Sequence, residues 1–522
     1  MLKLQGFLHD AEFLYRWLAE NVSVRAIALR GLGDLLALQS VWAYEFGRYD
    51  SEGMVVGIRA LNKPREGGLW QGRTFAEAIA VLECAVRVDA ENPDGWWLLA
   101  YTNMRAERWR QAADADQECF LRSPTTYEER FSRAIKKYLI NPTEGVTLYS
   151  AALEAWHGWW RVADVALRKA CDLRGNPGVR YEEKTPPSTA HIHANVVRNG
   201  EITPVESKLQ FSPCYITEYE HAEIFPLHGL ILANKQYLVT DSVHMKPCHI
   251  PLFIPAVRAI RDDRALIACR KALKYDEPGC IYIGHNKNYY HWLLDDLPRL
   301  SLLLADKQYE NAPILIDTQI ATWQIPLLHR LGIDHSRLRA VDFSEPLAFD
   351  KLIVPSCLSR DMVAHPEAVR FMRNRLAPQS DNASPRRGKR IYLARRKAVE
   401  RSILNERSIM AKFKKAGFAI VDTGNMSIEQ QVELFSDAEI IAGPGGAALT
   451  NALFAPRAAK IISLSSASIT CHTFTSISAA LGQESWMITG SSYPRPRPHW
   501  LWTIWDFEVS ERDVDLCFAH VL

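Results

Sequence analysis

The stretch EIIAGPGGAALTNALFAP (residues 439–456) decides how this chain is read. EIIA suits a buried strand, GPGG is a turn, and AALTNALFAP returns to helical spacing. Gly443, Gly445 and Gly446 allow backbone conformations closed to other residues. A strand that turns through glycine into a helix presents backbone N–H groups and the positive end of the helix dipole, a setting that suits phosphate. The turn is not a Walker sequence, because no Lys–Ser/Thr follows, and it is not a GxGxxG fingerprint. Taken alone, it is equally a tight turn with no ligand.

Outward from this turn, strand and helix alternate. RIYLAR (390–395) is a strand and ILNERSIMAKFKKAG (403–417) a helix stopped at Gly417. FAIVDT (418–423) is a strand. SIEQQVELFSDA (427–438) opens with Ser427 and has Gln430 three residues on, a capping box. AKIISLS (459–465) is a further strand. Such spacing predicts parallel βα crossovers in an α/β sheet. Upstream, AEIFPLHGLILANKQYLVTDS (222–242), CIYIGH (280–285), APILIDT (312–318) and KLIVPS (351–356) read as strands of a second α/β region.

Residues 1–180 read as helices only. Ala78, Ala85 and Ala90 align with Ala112, Cys119 and Pro124, each 34 residues later, around NPDGWWLLAYTNMRAERWRQAADA. This spacing resembles the tetratricopeptide repeat, in which small residues let paired helices approach closely. WRVADVALRKACDLR (160–174) echoes WRQAADADQECFLR (109–122) and is expected to be helical too. A generic helical layer is the plainer alternative. RGNPGVRYEEKTPPSTA (174–190) and QSDNASPRRGK (379–389) read as linkers. The expected division is a helical repeat domain at 1–180, a first α/β lobe at 187–380, a second at 381–490, and a tail at 491–522 that packs back on the lobes.

The 522 residues carry a formal net charge of +2, so no global field favours nucleic acid or a membrane surface. Ten cysteines are scattered singly without zinc spacing, which predicts reduced thiols. No window approaches a membrane-spanning apolar run. The expected setting is cytoplasmic, with peripheral docking at the inner face of a membrane left open.

Two further stretches carry chemistry. In RIYLARRKAVERSILNE (390–406), Arg395, Arg396, Lys397 and Arg401 follow a strand end, where ligands of open α/β sheets collect. Arginine forks match diphosphate oxygens, although a solvated basic loop reads the same way. In GHNKNYYHWLLDDLPRLSLLL (284–304), His291 and Asp295 lie four apart on one helix face. A carboxylate beside an imidazole orients it and raises its basicity, as a general base requires. Pro298 breaks or restarts that helix, so Asp295 or Asp296 serves equally well as part of a helix start.

NYYHWLLDDLPRL, IYLARRKAVERSILNE and EQQVELFSDAEIIAGPGGAALTNALFAP, in that order, resemble glycosyltransferase family 61 over about residues 222–515. The resemblance implies a multidomain chain in which a helical region precedes a GT-B fold of two Rossmann-like lobes. It further implies inverting transfer from a nucleotide-sugar donor to a glycan or glycolipid acceptor, in bacterial surface polysaccharide or capsule synthesis. His291 and Asp295 are then the catalytic pair, expected to look across a cleft at the arginines and bare amides of the second lobe. Arg395, Arg396, Arg401, Asn405, Glu406, Gly443, Gly445, Gly446, Ala447 and Asn451 are the expected nucleotide-sugar contacts. Asn405, Glu406 and Asn451 equally suit capping or bridging of loops. His285, Asn286, Asn288 and Arg299 are candidates on the acceptor side. No metal ligand set and no cofactor is expected, and the helical repeats are expected either to bind a protein partner or to pack on the catalytic core. Two departures stand out. Gly445 occupies the place of a histidine in the family's G-P-H-G-A turn, and Ser463 stands near the place of a glutamate. They leave room for a changed donor or an inactive lobe; the altered turn at Gly445 favours a rival reading, a non-catalytic scaffold with vestigial lobes, which the intact His291, Asp295 and arginine cluster disfavour. A dinucleotide-dependent oxidoreductase lacks its glycine fingerprint here.

Overall fold

The structure is a computed structural model that describes residues 29, 75–91, 93–105, 108, 110–112, 114–115, 118, 127–154, 160–226, 229–243, 250, 254, 256–304, 306–360, 362–377, 388–395, 402–466, 472–493 and 506–522. The chain divides into two compact units, residues 1–166 with 255–271, and residues 167–254 with 272–522.

In the first unit, helices Phe75–Val88 and Pro93–Arg105 form one pair and Tyr127–Ile140 and Pro142–Glu154 another. Most of the small residues of the repeat pattern are enclosed, although Ala90 is exposed. Ala78, Ala85, Ala100 and Ala112 are buried. At Gly145 even a Cβ would collide with the backbone of Tyr138, so the two helices touch there through main chain. Cys119 and Pro124, the other ends of the 34-residue alignment, lie outside the described residues.

One expectation fails in this region. The segment expected to echo a repeat helix is instead a strand, Trp160–Arg168, paired antiparallel with Arg264–Arg270, which pairs in turn with Val257–Arg261. Its valines favour a strand, and partners about a hundred residues away complete the ladder. Asp164 on this strand accepts from Tyr138 at 2.6 Å and from Arg264 at 2.6 Å. The helical periodicity therefore gives way before residue 180.

The second unit holds two sheets. The front sheet places Leu338–Val341, Ile314–Asp317, Cys280–Ile281 and Leu347–Pro355 in parallel, then continues antiparallel through Cys214–Ile224, Ile231–Ala233 and Tyr237–Val239. The rear sheet runs Ala419–Val421, Lys389–Leu393, Ala438–Pro444, Lys460–Ser466 and Glu484–Tyr493, all parallel. In chain order that is 2-1-3-4-5, a doubly wound sheet whose direction reverses between Lys389–Leu393 and Ala438–Pro444. The crevice beyond those two strand ends is where such sheets bind ligands. The capping box is present, with Ser427 Oγ accepting from the Gln430 amide and Gln430 Oε1 accepting from the Ser427 amide. Gly417 ends the preceding helix at φ +86°.

The 174–190 stretch is not a linker. Val179–Thr185 pairs with Cys214–Ile224 in the front sheet. Ser188–Arg198 and Glu201–Phe211 form a hairpin that extends the rear sheet rather than the front one. The hairpin turns through Asn199 (φ +54°) and Gly200 (φ +79°), the Asn–Gly pair that a tight two-residue turn demands. Both turn amides donate to the Asp513 carboxylate, at 2.9 and 2.6 Å, on the C-terminal helix Glu511–Val521. Val514, Cys517 and Val521 of that helix join the core of the rear sheet with Trp486 and Ile488.

Between the sheets lies one continuous core. Leu293, Leu294 and Leu297 from the front share it with Met372, Leu376, Leu449, Leu453 and Phe454. Among the described residues no helix is long and apolar enough to cross a membrane.

Candidate active site

The helix that carries His291 changes pitch twice. Tyr289–His291 is α-helical, Trp292–Asp296 is π-helical and Leu297–Leu302 is a 3-10 helix. Asn288 caps it, accepting from the amides of Tyr290 at 2.9 Å and His291 at 3.4 Å. Pro298 sits at the opening of the 3-10 segment, where its missing N–H does least harm. Single π turns inside helices are frequent at functional sites. Here the wide turn carries Asp295 and Asp296, and both side chains are buried.

His291 Nδ1 lies 2.5 Å from Asp295 Oδ2. The carboxylate is fully buried and the imidazole 16 % exposed. With Nδ1–H directed at the carboxylate, Nε2 is the basic nitrogen. Arg299 Nε donates to the Asp295 carbonyl at 3.0 Å and its Nη2 to the Ser242 carbonyl at 3.2 Å, so the next turn is pinned from behind.

Asp296 faces the loop before the helix. Its carboxylate accepts from the Asn286 amide N–H at 2.8 Å and from Asn286 Nδ2 at 3.0 and 3.1 Å. Gly284 makes room for it. At φ +113° this glycine holds a backbone shape that side chains rarely allow, and a Cβ there would collide with the Asp296 carboxylate. Burial pushes the Asp296 carboxyl up to about 7, against the opposing pull of Arg299 and Asn286.

The four residues expected on the acceptor side hold the chain itself. His285 is buried, with Nδ1 2.7 Å from the Tyr282 hydroxyl and its ring stacked on Phe343. Asn286 holds Asp296, Asn288 caps the helix, and Arg299 binds backbone carbonyls. Each of these polar groups therefore has a role in shaping the glycine-led loop, with Asn286 half-buried and Asn288 still exposed.

At the rear sheet, the two loops flanking the reversal point meet. The Arg395 guanidinium lies 3.6–3.7 Å from where a Cβ on Gly446 would be. Glu406 Oε1 accepts from the Arg395 amide at 3.3 Å, so Glu406 shapes the arginine loop. Asn405 instead exchanges two bonds with the Val509 backbone, at 2.8 and 3.1 Å, and ties the loop to the C-terminal segment. Arg396 and Arg401 lie outside the described residues.

The glycine turn differs from expectation in its reason. None of Gly443, Gly445 and Gly446 has a left-handed backbone. Space is the constraint: a Cβ on Gly443 would lie 2.8 Å from Leu393 Cβ, and one on Gly445 would lie 3.3 Å from Ser465 Oγ. The Gly445 amide donates to the Leu464 carbonyl at 2.7 Å. The helix that follows, Ala447–Phe454, is 3-10. Ala447 and Ala448 stand in its first turn, whose N–H groups have no partner within the helix. Ser463 is buried, and its hydroxyl donates to the Trp486 carbonyl at 3.4 Å.

Two bridges join His291 to this turn. Tyr289 donates its hydroxyl to Asn451 Oδ1 at 2.8 Å, and Asn451 Nδ2 donates to Gln431 Oε1 at 2.8 Å. Asn451 is fully buried, so it clasps the two sheets together. The second bridge is aromatic. Phe474 Cε2 lies 4.0 Å from where a Cβ on Gly445 would sit, the Phe474 ring meets Tyr290 edge-on at 6.1 Å, and Tyr290 meets the His291 ring edge-on at 5.4 Å. His291 and Arg395 are both half-buried. Sequence reasoning missed Tyr289, Tyr290, Phe474 and Gly284. The paired tyrosines directly before His291 were the available signal.

Residues 289–462 match the family model described as Glycosyltransferase 61. No curated protein matches the chain. Among solved structures, a crystal structure of MamA overlaps 29 % of this chain and 71 % of its own, at 13 % identity and TM-score 0.21. TTC0263, a thermophilic TPR protein of Thermus thermophilus, overlaps 28 % and 83 % at 20 % identity and TM-score 0.16. A mutant of the Thermobaculum terrenum O-GlcNAc transferase overlaps 95 % of this chain and 57 % of its own at 9 % identity and TM-score 0.21. Overlaps with such low scores carry no assignment. The matched segment, a third of the chain, runs from Tyr289 into the strand after the glycine turn and takes in the His291–Asp295 pair, Arg395 and the glycine turn.

Proposed function

We propose that the chain is an inverting glycosyltransferase with GT-B architecture in which His291 is the general base. The supporting observation is the His291–Asp295 pair at 2.5 Å, joined through Tyr289 and Asn451 to the arginine–glycine crevice. A nucleotide sugar lies with its diphosphate against Arg395 and the amides at Ala447 and Ala448. The acceptor hydroxyl gives its proton to His291 Nε2 while its oxygen attacks the anomeric carbon. A C–O bond forms on one face as the C–O bond to the diphosphate breaks on the other, and the electron pair leaves with the nucleoside diphosphate. Asp295 steadies the imidazolium so formed. Arg395 and the helix-end N–H groups stabilise the charge growing on the leaving group, and no metal or cofactor enters this reading. Glu406 shapes the arginine loop.

The acceptor in this reading is a glycan or glycolipid precursor of a bacterial surface polysaccharide. The work is done in the cytoplasm, at or near the inner face of the membrane. The helical repeats recruit a protein partner.

A thermal-shift screen with UDP-, GDP-, CMP- and dTDP-linked sugars tests the donor site. A donor at one hundred times its dissociation constant stabilises by about 2.7 kcal/mol. The stabilising donor is then offered to glycan acceptors, and release of nucleotide with a glycosylated product is expected. Donor binding without transfer to any acceptor, at an unaltered His291, argues for the vestigial scaffold instead.

A further inference from the structure

Tyr289 has no place in the reaction just described, yet it joins the two halves of the site. It is the first residue of the α-helical turn that ends at His291. Its hydroxyl reaches across to Asn451, in the 3-10 helix that begins where the diphosphate is proposed to lie. Asn451 is itself fixed: its Nδ2 donates to Gln431, whose Nε2 donates to the Met426 carbonyl at 3.2 Å, directly before the Ser427 cap. The Tyr289 ring packs against Trp323, with centroids 5.4 Å apart. Burial raises the phenol well above its ordinary range, which keeps the hydroxyl protonated and donating.

We infer that Tyr289 is a positioning residue that couples occupancy of the nucleotide crevice to the orientation of His291. This inference rests on the glycosyltransferase reading and deepens it. An anion drawn to the start of the Ala447–Phe454 helix pulls on that helix. Asn451 lies on it, and the Tyr289 hydroxyl carries the displacement to the turn that holds the imidazole. The bond is 2.8 Å long and part-buried, and Tyr289 stands two residues from His291.

The test is Tyr289→Phe in the full chain, which removes one oxygen and keeps the ring on Trp323. Isotope-labelled histidine, assigned with His291→Ala, reports the imidazole as UDP, GDP or dTDP is titrated in. In the unaltered protein, the nucleotide that binds shifts the His291 resonance and its titration midpoint. In Tyr289→Phe the same nucleotide binds within about threefold, the His291 response falls by more than about half, and kcat drops about tenfold with KM for the donor little changed. A purely structural bond lowers thermal stability and leaves the histidine response intact. An equal His291 response in both proteins, whatever the change in melting temperature, overturns the coupling and spares the glycosyltransferase reading. Failure of every nucleoside diphosphate to bind the unaltered protein overturns both.

Discussion

Nδ1 of His291 faces Oδ2 of Asp295 across 2.5 Å, with the carboxylate wholly buried and the imidazole at the surface of the same helix. That asymmetry separates the roles. In the proposed mechanism the buried group orients and the half-buried group meets the substrate. Asp295→Asn keeps the shape and removes the charge, and the amide favours the wrong tautomer. The expected result is a fall in kcat of about a hundredfold or more, with donor affinity within a few-fold of the original. Steady-state kinetics beside nucleotide titration checks this.

Asp296 predicts a pH dependence of stability. Its carboxyl is held near 7 in the fold by burial, above the unfolded value of about 3.9. The native state therefore binds the proton more tightly, and ionising this group destabilises the fold as pH rises from about 4 through about 7. Asp296→Asn cannot ionise. The stability difference between this variant and the original should move in favour of the variant across that window, as read by urea denaturation at about pH 4.5 and about pH 8. A difference that stays constant across the window contradicts the assignment.

Arg395 sits at the reversal point beside Gly446. Arg395→Ala should weaken nucleotide diphosphate binding by about ten- to a hundredfold, a loss of about 1.5–3 kcal/mol for charge-assisted bonds. The loss should shrink as salt rises, because screening weakens the native contact. Calorimetric titration at low and high ionic strength measures both.

The glycines of the turn should differ under substitution. Gly443→Ala places a methyl 2.8 Å from Leu393 Cβ and 3.0 Å from its carbonyl oxygen, so backbone must move. A cost of about 1–3 kcal/mol is expected. Gly445→Ala meets the Ser465 hydroxyl at 3.3 Å, and that side chain can turn away. It should cost well under half as much. Thermal melts of the two variants side by side give the comparison.

The rear sheet was legible because its signals are local. The Ser427–Gln430 box, the Gly417 stop and the apolar strands each act within a few residues, and the α/β alternation follows from them. The hairpin at 188–211 was not, although Asn199–Gly200 is a strong local turn signal. Its choice of the rear sheet depends on Glu484–Tyr493, almost three hundred residues on. The strand at Trp160–Arg168 was hidden for the same reason, since only pairing with Arg264–Arg270 distinguishes it from a helix. At the site, spacing gave the His291–Asp295 pair, because i and i+4 meet on any helix. It gave no view of Tyr289 reaching Asn451, which joins residues 162 positions apart. Polar residues around the helix start read as substrate contacts because a tight loop and a binding loop use the same amides and imidazoles. Asn286 and Asn288 show the loop-building part of that double use.

The most direct measurement is transfer by His291→Ala, offered the donor and acceptor that the unaltered protein uses, under single-turnover conditions. Near-complete loss of glycosylated product with nucleotide affinity retained is the predicted result. Product formed at the unaltered rate would contradict the base on which the whole mechanism stands.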